Sequence, residues 1–125
     1  MQNMSKVNKL FTFEEKKIVF NNAQFYDDIS KIDYPVYTIS FLGEARFGKS
    51  TLINCFLTYL LNENINIFKT SSMNKHCTIG IDYCFVKKDD VGYLILDCQG
   101  INHGDSSNDC KLMMLAYELS DLIVF

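Results

Sequence analysis

Apolar residues in this chain fall in short runs separated by polar stretches, and the spacing within each run predicts its conformation. Residues 10–13 and 18–20 are β-type runs flanking the charged Glu14-Glu15-Lys16-Lys17, the pattern of an N-terminal hairpin over about residues 10–20. A short helix over 24–31 has to end before Pro35. The apolar run 36–42 reads as a strand. From Thr51 the pattern turns helical: Leu52, Phe56, Tyr59 and Leu60 form one stripe, with Ile53, Leu57 and Leu61 beside it. An apolar arc that wide suits a helix packed against a sheet, and Asn62-Glu63-Asn64 ends it. The polar residues 70–76 read as a mobile loop. Residues 81–86 are β-like and turn through 87–90 into 92–97, a second hairpin signal. Another polar stretch, 102–109, leads into a helix over about 111–119, and the continuous apolar run 122–125 is typical of a buried parallel strand. The expected class is α/β, a mostly parallel sheet with flanking helices.

Repeats and low-complexity tracts are missing and there is a single proline, so residues 1–125 read as one unit without a linker. A fully apolar strand with nothing after it leaves a bare hydrophobic sheet edge, which natural proteins avoid. The expectation is therefore the first part of a domain, cut after its fourth core strand. A hydrophobic fraction of 48% in 125 residues allows a real core. The net charge of −3 offers no basic face for nucleic acid or an anionic membrane, although one phosphate pocket needs only a few local cations. Five cysteines without a C-x-x-C pair read as reduced, mostly buried small hydrophobes of a cytoplasmic protein, not as a disulfide framework or zinc site. The N-terminus has no signal-peptide apolar region, and no apolar run approaches the length of a membrane span.

The chemistry is concentrated in Gly43-Glu44-Ala45-Arg46-Phe47-Gly48-Lys49-Ser50, a complete G-x-x-x-x-G-K-[ST] loop between the predicted strand 36–42 and the helical pattern from Thr51. In that setting the backbone N–H groups of residues 44–51, from Glu44, Ala45, Arg46 and Phe47 through Gly48 to Thr51, face a β-phosphate at a helix N-terminus. Lys49 reaches the β- and γ-phosphates, and the Ser50 hydroxyl is a ligand for Mg²⁺. Asp97-Cys98-Gln99-Gly100 supplies a D-x-x-G at the end of the predicted strand 92–97, 48 positions after Lys49. There Asp97 can hold Mg²⁺ through water and the Gly100 N–H can contact the γ-phosphate. Between the two lies Thr78, at the end of the polar loop, whose hydroxyl can ligate Mg²⁺ while its backbone senses the γ-phosphate. Together these are the parts of a regulatory GTPase core: phosphate loop, switch I threonine and switch II D-x-x-G. By loop chemistry alone, Arg46 is as readily a solvated surface residue as a functional one.

The set resembles the large G domains of guanylate-binding proteins and atlastins, within the dynamin-like superfamily. Four features carry the resemblance: Arg46 at the fourth position of the loop, T-x-G-I at residues 78–81, D-x-Q-G at 97–100, and G-D-x-x-N-D at 104–109. The likeness runs over nearly the whole chain but covers only about the first half of a family G domain. It implies a P-loop NTPase G domain that hydrolyses GTP with Mg²⁺, binds GTP and GDP, and forms a nucleotide-dependent homodimer face to face. It also implies that Arg46 is an arginine finger supplied in cis, and that Arg46, Thr78 and Gln99 form the catalytic set. Two positions depart from the pattern. His76 stands where guanylate-binding proteins have a serine, and Gln99 follows the atlastin form where they have glutamate. The guanine-reading motif, the stalk and any membrane anchor are expected beyond Phe125.

A second reading is a binding or decoy module that has lost turnover and acts by pairing with longer relatives. An ATPase of another P-loop class is a third. Lys49→Ala and Ser50→Ala are expected to weaken Mg²⁺–nucleotide binding without unfolding the protein.

Overall fold

The computed structural model describes residues 6–14, 17–42, 48–66, 68, 80–99 and 106–124. The expected polar loop at 70–76 lies outside the described residues. Six strands form one sheet: β1 (Asn8–Glu14), β2 (Lys17–Phe20), β3 (Val36–Phe41), β4 (Gly80–Lys88), β5 (Val91–Gln99) and β6 (Leu122–Val124), in the order β2-β1-β4-β5-β3-β6. Three helices accompany it: α1 (Asn22–Ser30), α2 (Lys49–Leu61) and α3 (Ser106–Leu119). No helix among the described residues is long and apolar enough to cross a membrane.

The sheet is mixed, which corrects the expectation of a mostly parallel one. Strand β3 runs parallel to both β5 and β6, whereas β1–β2, β1–β4 and β4–β5 are antiparallel. The cause is local chain reversal. Asp89-Asp90 turns β4 directly into β5, with Asp89 at φ 56°, a left-handed conformation that Asp tolerates because its short side chain bonds locally. A two-residue turn permits only an antiparallel neighbour; the parallel pairs need the longer connections that carry α2 and α3.

Alternation along β5 assigns the two faces. Ile95 packs with Ile39, Phe41, Cys84 and Val86 beneath Ile53 and Leu57 of α2. Leu94, Leu96 and Cys98 point the other way, toward Leu10, Ile81, Tyr83 and Ala116 of α3. On that second face Phe25 of α1 lies edge-on to Tyr83 and stacked with Phe85, and the Tyr83 hydroxyl donates to Asp28 at 2.8 Å. Helices thus cover both faces of one sheet.

Three further expectations are corrected. Part of the expected α2 arc does not face the sheet: Leu52 is 47% and Tyr59 86% exposed, whereas Ile53 and Leu57 are buried, Phe56, Leu60 and Leu61 pack against the core, and Lys49 and Asn54 join the buried side. The stretch 102–109 does not all precede the third helix, because α3 begins at Ser106; serine and aspartate are residue types favoured near a helix N-terminus. Residues 122–125 were expected to be buried, yet β6 pairs on one side with β3 and leaves Leu122 54% exposed. Its entry is pinned by Asp121, whose carboxylate accepts from the Thr38 N–H at 2.8 Å while its own N–H donates to the Thr38 carbonyl, and by the Ser40–Ser120 hydroxyl pair. Among the described cysteines, Cys84 and Cys98 are buried and Cys55 is exposed.

Gly80 shows why a glycine stands at the head of β4. A Cβ there would run into the Phe11 carbonyl oxygen of β1, and backbone has little freedom to retreat. Gly80→Ala is expected to lower stability by about 1–3 kcal/mol through forced separation of β1 from β4. Chemical denaturation measures it; a loss below a few tenths of a kcal/mol would mean the two strands do not approach so closely in solution.

Burial pushes the thiols of both Cys84 and Cys98 up to about 12. Thiolate is the reactive form, so at pH 8 native alkylation among these three cysteines should fall on Cys55. Peptide mapping that found Cys84 or Cys98 modified at a comparable rate would contradict the packing.

Candidate nucleotide site

Strand β3 ends at Phe41, and α2 opens at Lys49 behind Gly48, whose φ of 76° is a left-handed conformation that favours glycine. The Gly48 carbonyl accepts from Leu52 N–H at 2.8 Å and so closes the first turn. This geometry points Lys49 inward. Its side chain is 5% exposed, its ammonium lies 2.9 Å from an Asp97 oxygen, and it also donates to the Cys98 carbonyl. Asp97 itself is 1% exposed. Lys49 and Asp97, 48 positions apart in sequence, therefore meet in the interior as an ion pair.

The strand register brings further motif residues together. In the β4–β5 ladder, Gly80 lies opposite Gln99, Ile81 opposite Cys98, and Asp82 opposite Asp97. Gly80 and Ile81 of the first motif are thus joined backbone to backbone with Gln99 and Cys98 of the second. Ser50 is half-buried in the first turn of α2 and Thr51 is exposed. Glu44, Ala45, Arg46 and Phe47 lie outside the described residues, as do Thr78, Gly100, His76 and the segment 101–105; the Gln99 side chain is likewise outside them.

Sequence reasoning missed three contributors. Asn54, buried on α2, donates to the Phe68 carbonyl at 2.8 Å and accepts from the Phe68 N–H at 3.0 Å. Thr58 Oγ1 accepts from the Ile65 N–H at 2.9 Å. Both clip the chain leaving α2 back onto that helix, at Phe68 and Ile65, 10 and 13 residues before Thr78. The third is Asp82, whose side chain is 15% exposed and pairs with Lys9 at 3.2 Å. Burial lifts its carboxyl above the ordinary aspartate range, against the opposing pull of Lys9. Its signal was present in the sequence: at period two it shares a face with Cys84 and Val86, an acidic residue on an otherwise apolar side of a strand.

Hard oxygen donors, the Asp97 carboxylate and the Ser50 hydroxyl, at the head of a helix suit Mg²⁺, which is commonly held by one or two carboxylates together with substrate phosphates. The residues present fit that ion.

A mixed α/β sheet layered by helices, with a lysine-led helix set on a strand aspartate, is the frame of a nucleotide-binding domain. The family model of the guanylate-binding protein N-terminal domain matches residues 15–125, and the chain belongs to that family. The family is one of GTPases that bind guanine nucleotides, which sets the chain in that broad class. No individual curated protein matches the chain.

The buried ion pair changes what a lysine substitution does. Lys49→Ala removes the cation that sits against the buried Asp97 carboxylate, so a stability loss of about 3 kcal/mol is expected in the nucleotide-free protein. This revises the expectation that the variant would affect binding alone. Combining it with Asp97→Asn should recover a large part of the loss. Urea denaturation of the single and double variants checks this; a single-variant loss below about 1 kcal/mol would place the pair in solvent.

Proposed function

We propose that this chain binds GTP with Mg²⁺ and carries the phosphate-handling half of a dynamin-like GTPase site activated by G-domain pairing. The observation that supports it most is the buried Lys49–Asp97 contact, which joins the phosphate-loop lysine to the D-x-x-G aspartate. In this reading the N–H groups of residues 44–51 cradle the phosphates at the α2 N-terminus. Lys49 exchanges its carboxylate partner for β- and γ-phosphate oxygens. Ser50, Thr78 and Asp97 would hold Mg²⁺, which when bound neutralises charge developing on the phosphate oxygens. Arg46 folds over the transferring phosphate in the paired state, Gly100 donates its N–H to the γ-phosphate, and Thr78 with Gln99 orders the attacking water. The membership in the guanylate-binding protein family supports GTP as the nucleotide.

Binding and chemistry should separate in two variants. Ser50→Ala removes a cation ligand and should weaken Mg²⁺–GTP binding at least tenfold, since one good ligand contact is worth about 1.4 kcal/mol or more. Arg46→Ala should leave that affinity nearly intact and lower kcat by about 10³-fold, with the largest loss at concentrations where G domains pair. Calorimetric titration and single-turnover hydrolysis measure the two effects. Wild-type affinity in Ser50→Ala would contradict the phosphate-loop assignment, and wild-type turnover in Arg46→Ala would make that arginine an ordinary loop residue. Binding without turnover in the unmodified chain is the result that a decoy module requires.

A further inference from the structure

The α2-facing side of the sheet carries a row of charges that its apolar packing does not require. Reading across the strands, Lys9 of β1 lies opposite Asp82 of β4, Asp82 opposite Asp97 of β5, and Asp97 beside Phe41 of β3. Residues directly opposite in an antiparallel pair place their side chains on one face, with Cβ atoms about 5 Å apart. Asp82 and Asp97 are therefore neighbouring carboxylates. A lysine lies against each: Lys9 at 3.2 Å from Asp82, and Lys49 at 2.9 Å from Asp97. The two charges of each sign balance as long as both lysines stay in place.

They are not equally fixed. Lys9 is half-exposed at the sheet surface, whereas Lys49 is the group that engages phosphate in the reading given above, on which this inference rests. When Lys49 turns to phosphate, its positive charge moves away from Asp97, and the Asp82 carboxylate one strand away then weighs more on the potential there. Two like charges so close in a poorly solvated setting favour a cation between them and the phosphates. Asp82 stands beside the apolar Cys84 and Val86 on this face of β4, where its ion pair with Lys9 ties β1 to β4.

We propose that Asp82 is a positioning residue for the cation side of the nucleotide site: through Asp97 it makes nucleotide binding more dependent on Mg²⁺, and Lys9 limits that dependence. Asp82 does not touch nucleotide or metal in this account; it acts by raising the negative potential at Asp97 once Lys49 has left.

The test is the affinity for GDP measured by calorimetry with Mg²⁺ and again with the metal chelated, which gives a ratio that needs no turnover. Asp82→Asn should lower that ratio roughly three- to tenfold, the effect of one partly screened charge at this range. Lys9→Gln should move it in the opposite direction, and Asp82→Glu should restore most of it. A purely structural role for Asp82 would weaken binding equally with and without metal, leaving the ratio unchanged, and that result would overturn the proposal. Should Asp82→Asn not fold, the Lys9→Gln shift decides the matter on its own, because an unchanged ratio there is equally contradictory. Failure of the unmodified protein to bind GDP under either condition would instead overturn the functional reading, and this inference with it.

Discussion

Lys49 and Asp97 meet where water is largely excluded, and the placement of α2 follows from that contact. Burying two charges costs several kcal/mol of solvation each, which their mutual attraction does little more than offset. The pair is therefore a poor source of net stability and a strong source of orientation. It fixes which side of α2 meets the sheet: Lys49, Ile53 and Leu57 recur at helical spacing along the buried face, and Asn54 joins them. Leu52 and Tyr59 are turned outward as a consequence.

The same contact depends on the sheet being mixed. β3 delivers the chain to Gly48 and α2, while β5, its parallel neighbour, delivers Asp97 level with Phe41. The antiparallel β4–β5 hairpin then sets Gly80 opposite Gln99, so two motifs distant in sequence share one ladder. Gly80 in turn is held by its approach to the Phe11 carbonyl of β1. The N-terminal hairpin thus buttresses the head of β4 at Gly80. Asn54 and Thr58 secure the chain on the other side of that segment, at Phe68 and Ile65.

Much of this was legible in the sequence wherever one physical rule dominates. The two hairpins, the strand at 36–41 and the helix after the glycine-lysine-serine turn follow from apolar periodicity and turn chemistry. Motif chemistry set Lys49 and Asp97 in one expected site, on phosphate and on cation, but did not anticipate that they meet as an ion pair. What escaped was the set of places where polar groups are buried. Periodicity assumes that the inward face is the apolar one, so the expected arc held Ile53 and Leu57 correctly, included the exposed Leu52 and Tyr59, and left out the buried Lys49 and Asn54. Asp82 escaped for the same reason, as did the start of α3, where polar residues serve as a first turn instead of a loop. The partial exposure of β6 reflects sheet order, which a continuous apolar run does not encode.

The central claim is that Lys49 sits on Asp97 until nucleotide takes it over. It can be observed directly in the nitrogen and ε-carbon resonances of that ammonium group, assigned by comparison with Lys49→Arg. In the nucleotide-free protein the account predicts a slowly exchanging, solvent-protected ammonium signal that moves to a new, equally protected position on saturation with Mg²⁺ and GTP. A Lys49 signal that exchanges like an exposed lysine before nucleotide is added, or one that stays unmoved at saturation, would contradict it.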